Sequence, residues 1–346
     1  MAKVIVVGGV AGGATAASQL RRLNQEYDIT IYEKDRDISF ANCGLPYHIG
    51  GEVDERRKLI AATPESFNEK SVSVFTYHEV VGVNSDEQFV TVKNITTGEE
   101  FNDTYDYLIL SPGGRARVVP GLENVEEAFS LHNIEDMDRI MEFIDENKVQ
   151  ETVVVGTGFI GMEMAENLRM RDISVTVVHR NENIYGHIEA DIVAVLHQEM
   201  EKNGIVLKLN AEVERYEDGY VYLTNNEKVK APLIIQGIGL NPNTEFLKDS
   251  GITMTEDGLI PVNEYGQTNV KNVYTLGDVM ETKYLHVPEL PANIKLAWPA
   301  HRIAYVIANH IHGEYDVKFE GLLGTNIMRF FDYEVGSVGI PQEAVR

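Results

Sequence analysis

At 346 residues the chain has room for about two domains, and its 43% hydrophobic and 24% charged residues are those of a globular protein with a buried core. Thirty Lys and Arg stand against 54 Asp and Glu; the net charge of −24 repels nucleic-acid phosphates and obliges an anionic ligand to find a local basic patch. No apolar run approaches the roughly 20 residues that cross a bilayer, the opening lacks a secretory pattern, and the single cysteine closes no internal disulfide, so a cytoplasmic protein without membrane contact is expected.

The first element, "KVIVVGGVAGGATAASQL" (3–20), runs from a β-branched strand through glycines into an amphipathic helix. Gly8 and Gly13 fit the dinucleotide fingerprint, but Val10 stands where its second glycine usually sits, with Gly9, Ala11 and Gly12 beside it. The next strand, "DITIYEK" (28–34), ends on Glu33 and Lys34. Glu33 follows Gly13 by 20 residues, where an acid accepts hydrogen bonds from an adenosine ribose; an exposed strand-end acid is the alternative.

"SFANCGLPY" (39–47) holds Cys43, the one cysteine. Asn42, Gly44 and Pro46 suit a loop turning into the first turn of a helix, where free amides and the helix dipole favour a thiolate. Most lone cysteines are inert, buried hydrophobes. A redox-active one, lacking a protein partner, forms either a mixed disulfide with an external thiol or a sulfenic acid. Residues 70–110 alternate with period two and predict a β-meander; "SPGGRARVVPGL" (111–122) is a Pro/Gly-rich crossover.

"ETVVVGTGFIGMEMAENL" (151–168) repeats the strand-glycine-helix pattern with a complete fingerprint, Gly156, Gly158 and Gly161. Its second strand, "ISVTVVHR" (173–180), ends on His179 and Arg180 instead of an acid. A guanidinium attracts the 2′-phosphate of NADPH, so NADPH is favoured over NADH, although an exposed Arg after a strand needs no ligand. A hairpin is expected over 205–224, and the tail 322–346 gives two strand-like runs. The ten histidines form no metal constellation, "HIH" (310–312) included.

Further motifs carry a resemblance. "NVYTLGDVM" (272–280), "YDYLILSPGG" (105–114) and "GIGLNPNTEF" (237–246) resemble three motifs of FAD-dependent pyridine nucleotide-disulfide oxidoreductases, in the family's order. "SFANCGLPY", the "GGVAGGATAASQLRR" opening and "LAWPAHR" (296–302) are similar to the single-cysteine class of that family, and within it to the group acting on coenzyme A disulfide.

The resemblance implies an α/β fold of two doubly wound, Rossmann-like nucleotide-binding domains, the second inserted in the first, plus the start of an incomplete α+β interface domain. The implied domains are 1–115 with 250–322 for FAD, 116–249 for NAD(P)H, and 323–346 as the first part of a truncated dimerisation domain. It implies that Gly277 and Asp278 contact FAD, that Glu163 faces the nicotinamide, and that Cys43 is the redox nucleophile. Thr15, Gln19, Arg22, Ser39, Asn42 and His301 are implied CoA contacts, with Lys70 recruited nearby. Gln19 and Arg22 share a helical face at i and i+3, and Arg22 with Arg21, Arg56, Arg57, Lys58 and Lys70 supplies the local cations an acidic substrate needs. Arg56, Arg57 and Lys58 read equally well as a solvated charge run, and Glu163 as an acid favoured near a helix N-terminus.

NADPH-driven reduction of CoA disulfide through a Cys43–CoA mixed disulfide is the expected activity. NADH oxidase or peroxidase chemistry is an alternative, disfavoured because Ala11 stands where those relatives carry His. A persulfide or polysulfide reductase is another. The family's homodimer is in question for a chain that stops at Arg346, which leaves a catalytically silent flavin-binding chain as the reading of a different class.

Overall fold

Residues 2–186 and 188–340 are described here by a computed structural model, so the last residues of the expected 323–346 segment lie outside the described residues. Seven α-helices occur among them: α1 (Ala11–Leu23), α2 (Leu45–Ile49), α3 (Pro64–Asn68), α4 (Ile134–Asn147), α5 (Phe159–Met170), α6 (Ala190–Lys202) and α7 (Ala297–His312). The chain separates into two compact units, Met1–Ala41 with Ile60–Gly114 and Asn241–Leu323, and Asn42–Leu59 with Arg115–Leu240 and Gly324–Arg346. The fold is the expected α/β class, with a parallel sheet in each unit.

In the first unit the sheet runs in the order 273–275, 107–110, 3–7, 28–32, 72–75, all parallel. Its central strands 3–7 and 107–110 are nearly continuous Val/Ile/Leu runs because both faces are covered. On one face Ala14, Ala16, Ala17 and Leu20 of α1 share a core with Ile303, Ala304 and Ile307 of α7, small residues letting the two helices lie close. On the other, Ile5, Val7, Leu108 and Leu110 pack with Val80, Val90 and Val92. The latter come from an antiparallel sheet of His78–Asn84, Phe89–Asn94 and Glu100–Thr104.

The meander expected over 70–110 is therefore only its middle. Val72–Phe75 and Tyr107–Leu110 leave it for the parallel sheet. Period-two alternation does not say which ladder a strand joins, whereas the unbroken burial of Leu108, Ile109 and Leu110 marks a sheet interior.

The second unit repeats the plan, with parallel strand order 206–208, 174–178, 151–155, 234–236, 128–130. Val206–Lys208 joins this sheet rather than the hairpin expected over 205–224; the antiparallel ladder is Val213–Glu217, Tyr220–Leu223 and Lys228–Lys230. The two tail runs pair antiparallel, Asn326–Phe330 with Tyr333–Ser337, and the first packs on α5. Register places the site. Val7 pairs with Tyr32, so Gly8 and Glu33 leave adjacent strands at one level; Val155 and Val178 do the same for Gly156 and His179. No described helix is long and apolar enough to cross a membrane.

Candidate functional site

In the first unit the glycine loop is built by close contact. Gly8 has φ +91°, and a Cβ there would lie 2.0 Å from the Ser111 carbonyl oxygen. A Cβ on Gly13 would lie 1.9 Å from the Gly8 oxygen, so α1 can pack on its own entry turn only with glycine. Val10 caps α1 with φ −90°, outside the left-handed region that would demand glycine at the place of the usual second glycine.

Glu33 is 5% exposed and binds the loop directly: Gly9 N–H donates to its Oε2 at 2.7 Å and Asp35 N–H to its Oε1 at 3.0 Å. Burial raises its carboxyl above the usual range, opposed by those two backbone donors. Each oxygen retains a lone pair for a ribose hydroxyl. Lys34 beside it is exposed. A Cβ on Gly12 would meet Leu276 at 1.9 Å and Ala300 at 3.4 Å, which brings Gly277, Asp278 and the first turn of α7 to the loop. A buried acid and a backbone cradle at one level fit the adenosine and diphosphate of a dinucleotide.

Ser39 has φ +48° and donates from its N–H to the Gly9 oxygen at 2.9 Å, so it is fixed against the same loop. Thr15 returns its hydroxyl to the Ala11 oxygen at 2.7 Å; Gln19 and Arg22 follow along α1, half-buried and exposed respectively. His301 on α7 and Lys70 just beyond α3 are exposed. Arg21 does not belong with these cations. It is 6% exposed, and its guanidinium donates to the carbonyls of Gln25, Tyr27 and Ser71 at 2.6, 2.7 and 2.6 Å, holding the turn after α1.

In the second unit Gly156 has φ +96°, and Gly161 sits where a Cβ would be 2.1 Å from the Gly156 oxygen. Gly158 opens outward: the nearest atom to its Cβ position is 3.9 Å away, space that a diphosphate approaching the α5 N-terminus would use. His179 is half-buried and its Nδ1 lies 3.1 Å from the Thr157 hydroxyl, which also accepts from Tyr185 N–H at 3.2 Å. Desolvation keeps the His179 imidazole below its ordinary pKa, so it serves the loop as a neutral ring while Arg180 stands exposed.

Cys43 is exposed, in the tight turn Asn42–Gly44 that leads into α2 with Pro46 in its first turn. Asn42 Nδ2 donates to the His132 oxygen at 3.0 Å, leaving its Oδ1 for a ligand. Arg56 pairs with Asp138, Arg57 with Glu55 and Lys58 with Asp54, so this charge run is neutralised locally. Glu163 lies past the first turn of α5 and is 8% exposed. Desolvation, then repulsion from Glu166, pushes its carboxyl up to about 7 against the pull of Arg329. Burial, not the helix dipole, governs it. Tyr47, Glu52, Glu166 and Arg329 complete this neighbourhood and carry no motif by which the sequence could single them out. Among the described residues no three His, Cys, Asp or Glu side chains group to hold a metal ion.

Comparison with known proteins places these observations in a family. Residues 2–303 match the pyridine nucleotide-disulphide oxidoreductase family. The coenzyme A disulfide reductase of Staphylococcus haemolyticus is 45% identical over 344 residues, 99% of this chain and 78% of that protein. The crystal structure of reduced Bacillus anthracis CoADR-RHD superposes with a TM-score of 0.96 at 40% identity, over 99% of this chain and 62% of that one. A NAD-dependent persulfide reductase from A. fulgidus gives a TM-score of 0.94 at 28% identity, over 99% of this chain and 65% of that one. The chain thus spans less than two thirds of either structural relative.

Proposed function

Because the chain belongs to the pyridine nucleotide-disulphide oxidoreductase family, a group of flavin- and nicotinamide-dependent enzymes, we propose that it reduces coenzyme A disulfide through Cys43. The observation that carries this reading is the sole cysteine itself, exposed in the turn that starts α2. A Cys43 thiolate attacks one sulfur of CoA disulfide, forming a Cys43–S–S–CoA bond and releasing one CoA thiolate. FAD and NADPH, when bound, supply the two electrons that return Cys43 to thiolate and free the second CoA. Relatives named for CoA disulfide reduction at 45% identity support this substrate.

In this reading residues 1–115 and 250–322 form the FAD domain, with Gly8, Gly9, Val10, Ala11, Gly12 and Gly13 cradling the diphosphate, Glu33 and Lys34 at the ribose, and Gly277 and Asp278 at the far side of the loop. Residues 116–249 form the NADPH domain, with Gly156, Gly158 and Gly161 at the diphosphate, Arg180 at the 2′-phosphate, and Glu163 toward the nicotinamide. His179 holds the loop through Thr157. Thr15, Gln19, Arg22, Ser39, Asn42, Lys70 and His301 bind CoA, and their cations offset the charge of −24 that would repel its phosphates. Residues 323–346 open an interface domain of a homodimer.

The direct test is NADPH consumption with CoA disulfide as the only acceptor. The wild type is expected to turn over, and Cys43→Ser to lose at least about a hundredfold in rate while still accepting electrons from NADPH. Full activity in Cys43→Ser would exclude the mechanism. The persulfide reductase neighbour supports a second reading, in which the same sulfur takes a persulfide; greater turnover with a CoA persulfide than with the disulfide would favour it.

A further inference from the structure

Three acids crowd the helices beside the redox turn: Glu52 just after α2, and Glu163 and Glu166 on α5. One guanidinium meets them. Arg329, in the strand Asn326–Phe330, donates from Nη1 to Glu52 Oε1 at 3.0 Å and from Nη2 to Glu52 Oε2. Its Nε lies 3.7 Å from Glu166 Oε1, and its central carbon is 4.8 Å from the centroid of the Tyr47 ring. Glu166 is 1% exposed, accepts from Phe331 N–H at 3.0 Å, and has no hydrogen-bond partner for Oε2. A carboxylate so placed stays ionised only against a nearby positive charge.

Tyr47 lies within α2, which begins two residues after Cys43, and Glu52 lies three residues beyond its end. At about 1.5 Å per residue this helix is only ~8 Å long, so a grip on its far end reaches the cysteine turn. Two contacts already tie α2 down, neither of them an ion pair. Arg171 Nη1 donates to the Ile49 carbonyl at 3.3 Å, and Gly50 lies so close to Asn167 that a Cβ would be 2.2 Å from Oδ1. Arg329 adds what these lack, an ion pair with Glu52 and a cation–ring contact with Tyr47.

We propose that Arg329 is a positioning residue for the redox turn: its charge fixes the Tyr47 and Glu52 end of the α2 segment against α5 and so holds Cys43 for attack on a disulfide. This rests on Cys43 being the redox sulfur. The groups facing Glu163 are Glu166 beside it on α5, Tyr47 on α2, Tyr185 in the loop before α6 and Arg329 on the hairpin. Arg329 is the member that lowers the Glu163 carboxyl, so its removal raises the pH at which Glu163 ionises.

The test compares Arg329→Met, Arg329→Lys and Asp332→Asn in FAD-loaded protein. Asp332 ties the same hairpin to Lys202 on α6 and controls for hairpin docking alone. The first readout is the rate at which iodoacetamide alkylates Cys43 at pH 7, uniquely assignable because no other thiol exists. The second is the pH midpoint of flavin reduction by NADPH. In Arg329→Met the grip on the α2 segment is lost and Cys43 is no longer held in one orientation, so alkylation slows at least about threefold, and with the Arg329 charge gone from beside Glu163 the midpoint moves to higher pH. Arg329→Lys recovers both in part, and Asp332→Asn leaves both at wild-type values.

An unchanged or faster alkylation rate in Arg329→Met, with only a lowered melting temperature, would overturn the proposal. Should that variant fail to fold, Glu52→Gln replaces it, removing the paired acid while keeping the guanidinium, and the same slowing is expected. Alkylation needs no turnover, so its outcome is independent of whether Cys43→Ser retains activity.

Discussion

At the scale of single residues, the site depends on where charge is buried. Glu163 has a carboxyl raised to about 7 by burial, whereas the unfolded chain ionises near the ordinary value of 4.5. Between those values the folded protein holds a proton that the unfolded chain has lost, so this group's stabilising contribution is full below pH 4.5 and gone above pH 7. Glu163→Gln should therefore match wild type in urea unfolding near pH 4.5 and exceed it above pH 7, by on the order of 3 kcal/mol at most. Equal stability at both pH values would contradict the burial argument. On the proposed role of Arg180 at a 2′-phosphate, substitution by Leu should lower the ratio of kcat/KM for NADPH to that for NADH about tenfold or more. His179→Ala should weaken both nucleotides alike, because His179 bonds Thr157 of the glycine loop. Cys43 could be singled out as a candidate because it is the one cysteine, and Glu33 and Arg180 because each stands at the strand end that follows a glycine fingerprint. Arg329 was not: its partners lie at Tyr47, Glu52 and Glu166, and no spacing in sequence announces a contact across such separations. Arg21 was misleading for a related reason, since an arginine on a polar helix end looks solvated until the carbonyls that surround it are seen.

At the scale of elements, two strand-glycine-helix units were plain in the sequence, because β-branched runs, glycine turns and amphipathic helices are local signals. Ladder membership was not local. Val72–Phe75 and Val206–Lys208 went to parallel sheets that their own alternation could not specify. The glycines separate the two nucleotide sites experimentally. In Gly13→Ala the new Cβ would meet the Gly8 oxygen at 1.9 Å, and in Gly161→Ala the Gly156 oxygen at 2.1 Å, so each forces its own helix off its own turn. Gly13→Ala should be purified with little flavin. Gly161→Ala should keep its flavin absorbance while the KM for NADPH rises about tenfold. Loss of flavin in Gly161→Ala alone would reverse the assignment of the two units.

For the whole molecule, an acidic chain is expected to hold an acidic substrate. With thirty cations against 54 anions, the proposed CoA site would rely on the exposed Arg22 and Lys70. Their attraction for CoA phosphates is screened over roughly 10 Å at 0.1 M salt, so the KM for CoA disulfide should rise with ionic strength more steeply than in Arg22→Gln. The central claim is that the second sulfur of the redox pair belongs to the substrate. Its most direct measurement is the intact mass of thiol-reduced, desalted protein after mixing with CoA disulfide. One CoA should be added at Cys43, one CoA thiol released per chain, and the adduct lost on treatment with a reductant or in Cys43→Ser. An unmodified mass, or a gain of oxygen alone, would contradict it.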